Sequence, residues 1–160
     1  QGELKTLIQN AALMRADTLV INELLGAETF EATKLMREGY SVMGTVMAES
    51  VSDALKKCEL FCLMGQLGIG VNEIKYHVAS AIDVVIFQER MDDGRRVVSH
   101  IAEVNGLNED GQFDIDTLFS FDETIGAPSL FSLINFLIAF LYSLSVGSSS
   151  LLSLLTPSLW

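Results

Sequence analysis

Glu23 has the most chemical potential of any single side chain in the sequence. It closes the run Asp17-Thr-Leu-Val-Ile-Asn-Glu23, whose β-branched and apolar centre predicts a strand buried on both faces. Open parallel sheets place their ligand-handling groups at the carboxyl ends of such strands. A carboxylate there can orient or deprotonate a water that attacks a nucleotide γ-phosphate, a reaction governed by positioning and electrostatics. The alternative is a solvated strand-end Glu. Cys58 and Cys62 stand four apart on a predicted helix and share a face, but no second Cys or His pair completes a zinc spacing, so they read as core thiols. His77 and His100 lie far apart, with no Ser or Cys in a nucleophile elbow to pair with them, and read as structural. Arg90, Arg95 and Arg96 flank a hairpin signal and could reach a neighbouring subunit's phosphates; a solvated hairpin end is the competing reading. Gly65-Gln-Leu-Gly-Ile-Gly70 has the glycine spacing of a phosphate loop, yet Val71 and Asn72 follow where Lys and Ser or Thr are required, which makes it a decoy.

The elements that must hold these residues alternate in period. Apolar positions 4, 7, 8, 11, 12 and 14 predict an amphipathic helix over 3–14, followed by the strand ending at Glu23. A second helix runs from Gly26-Ala27 to Gly39, and a second apolar run covers 41–47. Ser50 or Ser52 caps a helix reaching Met64, and a further helix is expected over 71–82. Runs at 83–88 and 96–104 flank Met91-Asp-Asp-Gly94, a hairpin turn, and a last short strand is expected over 113–119. This order predicts an α/β fold with a mostly parallel sheet and an antiparallel edge hairpin.

Composition narrows the function classes. Ten Lys and Arg against twenty-one Asp and Glu leave a net charge of −11, which excludes a sequence-independent grip on nucleic acid. At 49% hydrophobic and 19% charged, the 160 residues are too apolar for a disordered segment. Two cysteines cannot build a disulfide framework, as expected of a reducing compartment.

Several strings resemble one family. Asn10-Ala-Ala-Leu-Met-Arg-Ala-Asp-Thr-Leu-Val-Ile-Asn-Glu-Leu-Leu-Gly26 is similar to the segment of type II/IV secretion ATPases in which Arg-Pro-Asp precedes a Walker B strand ending in Gly-Glu. The CpaF-like branch of tight-adherence pilus systems is the nearest in pattern. Gly39-Tyr-Ser-Val-Met-Gly-Thr-Val-Met-Ala-Glu-Ser-Val51 resembles that family's Thr-Gly-His and Thr-x-His-Ala boxes. Asp53-Ala-Leu, Glu59, Leu63-Met-Gly65, His77 to Ile86, Gly94-Arg-Arg-Val97 and Ile101-Ala-Glu-Val104 continue the match, which spans about residues 3–122. The resemblance implies part of a RecA-like (P-loop NTPase) motor domain that hydrolyses ATP with Mg in a hexameric ring. Its place would be cytoplasmic, at the inner membrane's cytoplasmic face, with inner-membrane pilus or secretion proteins as partners. Glu23 would be the catalytic Walker B carboxylate beside the magnesium ion. Thr45, Met47, Arg95 and Arg96 would be nucleotide-handling positions.

The departures from the family are specific. No Gly-x-x-x-x-Gly-Lys-(Ser/Thr) occurs, and the family's phosphate loop lies upstream of the matched segment, so the chain is expected to be the carboxyl half of a longer protein or a degenerate copy. Met47 and Tyr40 fall on the two box histidines, and neither takes or gives a proton near pH 7. Ala16 replaces the Pro, and Leu25 an Arg. These substitutions set a second expectation beside the motor ATPase: a non-catalytic scaffold or membrane-docking subunit of the secretion machinery.

Charge divides the chain at Glu123, the last ionisable side chain. Residues 1–123 carry the resemblance, and 124–160 form an apolar tail. Positions 129–146 hold no charge and are just long enough to cross a bilayer as a hydrophobic C-terminal helix. A buried helix and a shifted reading frame are the alternatives.

Overall fold

A computed structural model of the chain describes residues 2–65, 68–122 and 127–128. The fold is α/β, built from four helices and two sheets among these residues. α1 (Gly2–Leu13) leads into β1 (Thr18–Ile21), α2 (Glu28–Arg37) crosses over, and β2 (Ser41–Gly44) returns parallel to β1. The register pairs Thr18 with Ser41 and Ile21 with Gly44, which brings both carboxyl ends to one rim.

α2 forms because its charges suit its dipole, with Glu28 and Glu31 in the first turn and Lys34 and Arg37 in the last. It stops at Gly39, whose φ of +93° only glycine adopts without strain. There the Gly39 amide donates to the Met36 carbonyl (3.0 Å) and the Tyr40 amide to the Leu35 carbonyl (3.1 Å), a Schellman closure.

α3 (Val51–Met64) begins at Ser50, whose hydroxyl accepts from the Asp53 amide at 3.1 Å. Asp53 in turn accepts from the Glu49 amide at 2.9 Å and pairs with Lys57 at 3.1 Å. Its buried face carries Ala54, Leu55, Cys58 and Cys62, a helical spacing that points one stripe inward. α4 (Val71–Ala79) buries Ile74, His77 and Val78.

β3 (Val84–Arg90), β4 (Arg96–Leu107), β5 (Phe113–Asp122) and β6 (Ala127–Pro128) form an antiparallel sheet in that order. The expected Met91–Gly94 turn joins β3 to β4, with the Met91 amide donating to the Arg95 carbonyl at 2.8 Å. One apolar core runs through both sheets, from Ile21 and Val42 through Leu55 and Ile74 to Val85 and Val104. Leu24, Leu55 and Ile74 are almost fully buried, and each contributes roughly 2 kcal/mol of apolar transfer.

Two expectations are corrected. The hairpin does not sit at the edge of a mostly parallel sheet. The parallel strands form a two-stranded sheet of their own, and the antiparallel strands a separate one. The reason is local: β3, β4 and β5 satisfy their backbone groups with their chain neighbours, while α3 and α4 intervene in sequence between β2 and β3. Nor is β1 buried on both faces. Ile21 is buried but Val20, on the opposite face, is 72% exposed in the groove beside α1, because among the described residues that face is only partly covered. The expected apolar helix at 129–146 lies outside the described residues; Ala127–Pro128 pairs with Phe121 and Asp122.

Candidate functional site

Glu23 stands two residues past the end of β1, on the carboxyl rim of the parallel pair, and is half-buried. Four hydrogen bonds fix its loop. The Leu24 amide donates to the Thr45 carbonyl at 2.8 Å, and the Thr45 hydroxyl donates to the Asn22 carbonyl, so the two strand ends are clasped together. The buried Glu28 carboxylate then accepts from the Leu25 and Gly26 amides, both at 2.9 Å. The backbone amides of Leu24, Leu25 and Gly26 are therefore spent inside the protein. The Glu23 carboxylate itself makes no hydrogen bond or ion pair among the described residues.

Glu23 and Asn22 form one end of a groove of about 370 Å³ between α1 and β1, whose apolar wall includes Leu4, Leu7 and Val20. α1 is held against α2 by Glu31, which accepts from Lys5 at 2.9 Å and Gln9 at 3.1 Å. Burial acts to raise the Glu31 carboxyl, but the bonds from Lys5 and Gln9 outweigh it and hold the group below its ordinary range.

The structure sorts the remaining sequence candidates. Thr45 joins Glu23 on the rim, while Met47 lies two residues beyond it, 37% exposed, with its carbonyl accepting from Lys57 at 3.0 Å. Tyr40 packs against the core. Arg95 and Arg96 sit exposed at the hairpin end of the other sheet, and Arg95 is turned onto Asp93 at 2.6 Å. They make no hydrogen bond or ion pair with the Glu23 loop. Cys58 and Cys62 are free and buried, and burial pushes both thiols up to about 12, so they are inert core thiols. The Gly65–Gly70 decoy does precede a helix, but Glu73 folds its carboxylate back over Gly70, placing negative charge where a phosphate loop would receive it.

Sequence reasoning missed a cluster around His77. The His77 ring is nearly buried, stacks on Phe30 at 4.7 Å between centroids, and bonds Thr33 Oγ1 through Nε2 at 2.9 Å and Arg37 Nη1 through Nδ1 at 3.0 Å. Because a guanidinium only donates, Nδ1 accepts, Nε2 carries the proton and donates to the Thr33 hydroxyl, and that hydroxyl in turn donates a hydrogen bond to the Thr29 carbonyl at 2.9 Å. Burial and, second, the Arg37 charge push His77 down to about 4. The signal was present in sequence as Phe30, Thr33 and Arg37 at helical spacing, but nothing there paired them with position 77.

No protein-family model matches the sequence, and no curated protein does. Among the described residues no cluster of three His, Cys, Asp or Glu could hold a metal, and no helix is long and apolar enough to cross a membrane. A magnesium ion bound through one carboxylate, waters and substrate phosphates does not need such a cluster. Among the described residues Glu23 offers a single carboxylate without an internal partner, and no loop of the sequence has the make-up of a phosphate cradle.

Proposed function

We propose that this chain is the catalytic-carboxylate part of a RecA-like secretion or pilus-assembly motor ATPase, inactive by itself. Glu23 polarises the attacking water, and the phosphate loop is supplied by a preceding segment. ATP and Mg are the cofactors, a hexameric ring is the working assembly, and inner-membrane secretion proteins are its partners at the cytoplasmic face. One observation carries the reading: a carboxylate without an internal partner stands on the rim of a parallel strand pair, on a loop whose backbone is fixed by Thr45 and Glu28. The test is magnesium-dependent ATP hydrolysis by the chain alone and by the chain joined to a phosphate-loop segment. The expected outcome is turnover only in the joined form, with Glu23→Gln lowering it by about a hundredfold or more. Turnover by the chain alone, or a joined form indifferent to Glu23→Gln, would overturn the proposal.

A second reading, a non-catalytic scaffold of the same machinery, is favoured by Tyr40 and Met47. One is committed to the core, and the other is an exposed thioether with no proton to exchange. Under it, Glu23→Gln leaves pilus assembly unchanged in cells, whereas the motor reading requires its loss.

A further inference from the structure

A groove of about 650 Å³ opens between α2 and α4, on elements that the motor chemistry does not use. Its size falls in the range of small-molecule sites, and its lining is mostly apolar with a few convergent polar groups, the usual make-up of such a site. Ile74 and Phe30 line its apolar part, with Ile69 and Tyr76 exposed at its margin. Lys34 and Arg37 project from successive turns of α2 into the same space.

Arg37 is the telling residue. In a chain with twenty-one carboxylates and ten Lys and Arg, it forms no ion pair among the described residues. Its single described side-chain bond goes to a neutral imidazole, through Nη1. That bond orients the fork and leaves Nε and Nη2 as free donors, the arrangement that receives a carboxylate at two points. Lys34 is nearby charge held only loosely, 3.9 Å from Glu38. Glu73, the one acid lining the groove, has its carboxylate folded over Gly70 at the start of α4.

We infer that this groove binds a small aromatic carboxylate. The ring lies against Phe30 and Tyr76, and the carboxylate is taken by Arg37 with Lys34 behind it. Aromatic rings stack well on such surfaces, and a guanidinium fork pairs with a carboxylate at two points but has no charge to pair with in the neutral amide. The inference is independent of the Glu23 reading, so either can fail alone.

The experiment is an NMR titration of the chain with phenylacetate, and in parallel with phenylacetamide. The expected result is saturable binding of phenylacetate, with a dissociation constant on the order of 1 mM, and shifts confined to residues around 30–37 and 69–77. Phenylacetamide and the Arg37→Met variant should each bind about tenfold more weakly, while Glu73→Gln should bind phenylacetate more tightly. Tyr76→Ser, a change at an exposed position that leaves the fold intact, should also weaken it. Equal affinity for acid and amide, shifts elsewhere on the protein, or no saturation at ten times the expected constant would each overturn the inference.

Discussion

Glu28 and His77 show how single buried polar groups organise this protein. The Glu28 carboxylate is the partner of two loop amides, so Glu28→Ala strands both donors and should cost about 2 kcal/mol in urea unfolding. Glu28→Gln keeps one acceptor oxygen and should cost less. A neutral Glu28→Ala would mean the loop bearing Glu23 is held by other means. His77 sets a pH dependence. Its folded value of about 4 lies below the unfolded value near 6.5, so the unfolded chain binds more protons between the two. Stability is therefore full above about pH 6.5 and falls as the pH drops toward 4, by roughly 2 kcal/mol once the solvent reaching the groove is allowed for. Arg37→Met removes the repelling charge and should raise the imidazole midpoint followed by NMR, although Thr33 and Phe30 still hold the ring in its buried place. Glu31, depressed by Lys5 and Gln9, loses its contribution only in the acid range of carboxyl titration, so the two effects separate.

At the scale of elements, α1 ends under strain. Arg15 follows it with φ of +56°, the left-handed region, while its amide closes on the Ala12 carbonyl at 3.1 Å. Arg15→Gly should raise stability by about 0.5–1 kcal/mol, read as a shift in the urea midpoint at unchanged slope. The periodic elements were legible in sequence. The helix expected over 3–14 is α1, the Ser50 cap opens α3, and the Met91–Gly94 turn joins its hairpin, because each rests on contacts within a few residues. The helix expected over 71–82 stops at Ala79, where the Ser80, Ala81 and Ile82 amides close the chain back onto Tyr76 and Val78. The run expected over 41–47 leaves its ladder at Gly44, since the Thr45 carbonyl is claimed by Leu24. Pairings between distant elements were not legible. Position 23 could be placed on a rim because strand ends are local features, but the union of Arg37 and His77 depends on how α2 packs on α4.

On the scale of the whole molecule, the burial of β1 is not legible in sequence, because a short apolar run does not reveal how much of each sheet face the other elements cover. Val20 and Leu7, 72% and 61% exposed, leave an apolar edge beside the Glu23 groove. Such edges template self-association. Val20→Lys should lower concentration-dependent assembly in sedimentation while changing stability by less than about 0.5 kcal/mol. Unchanged assembly would place the sticky surface elsewhere.

The clasp between Asn22, Leu24 and Thr45 also has a mechanical meaning. Position 23 cannot travel without dragging the far end of β2, and that end runs on to Met47, which the Lys57 ammonium ties to α3. A tug on α3 is thus passed along the backbone and three short polar links toward the carboxylate. The acid rides on a lever shared with its neighbours rather than on a freely swinging arm.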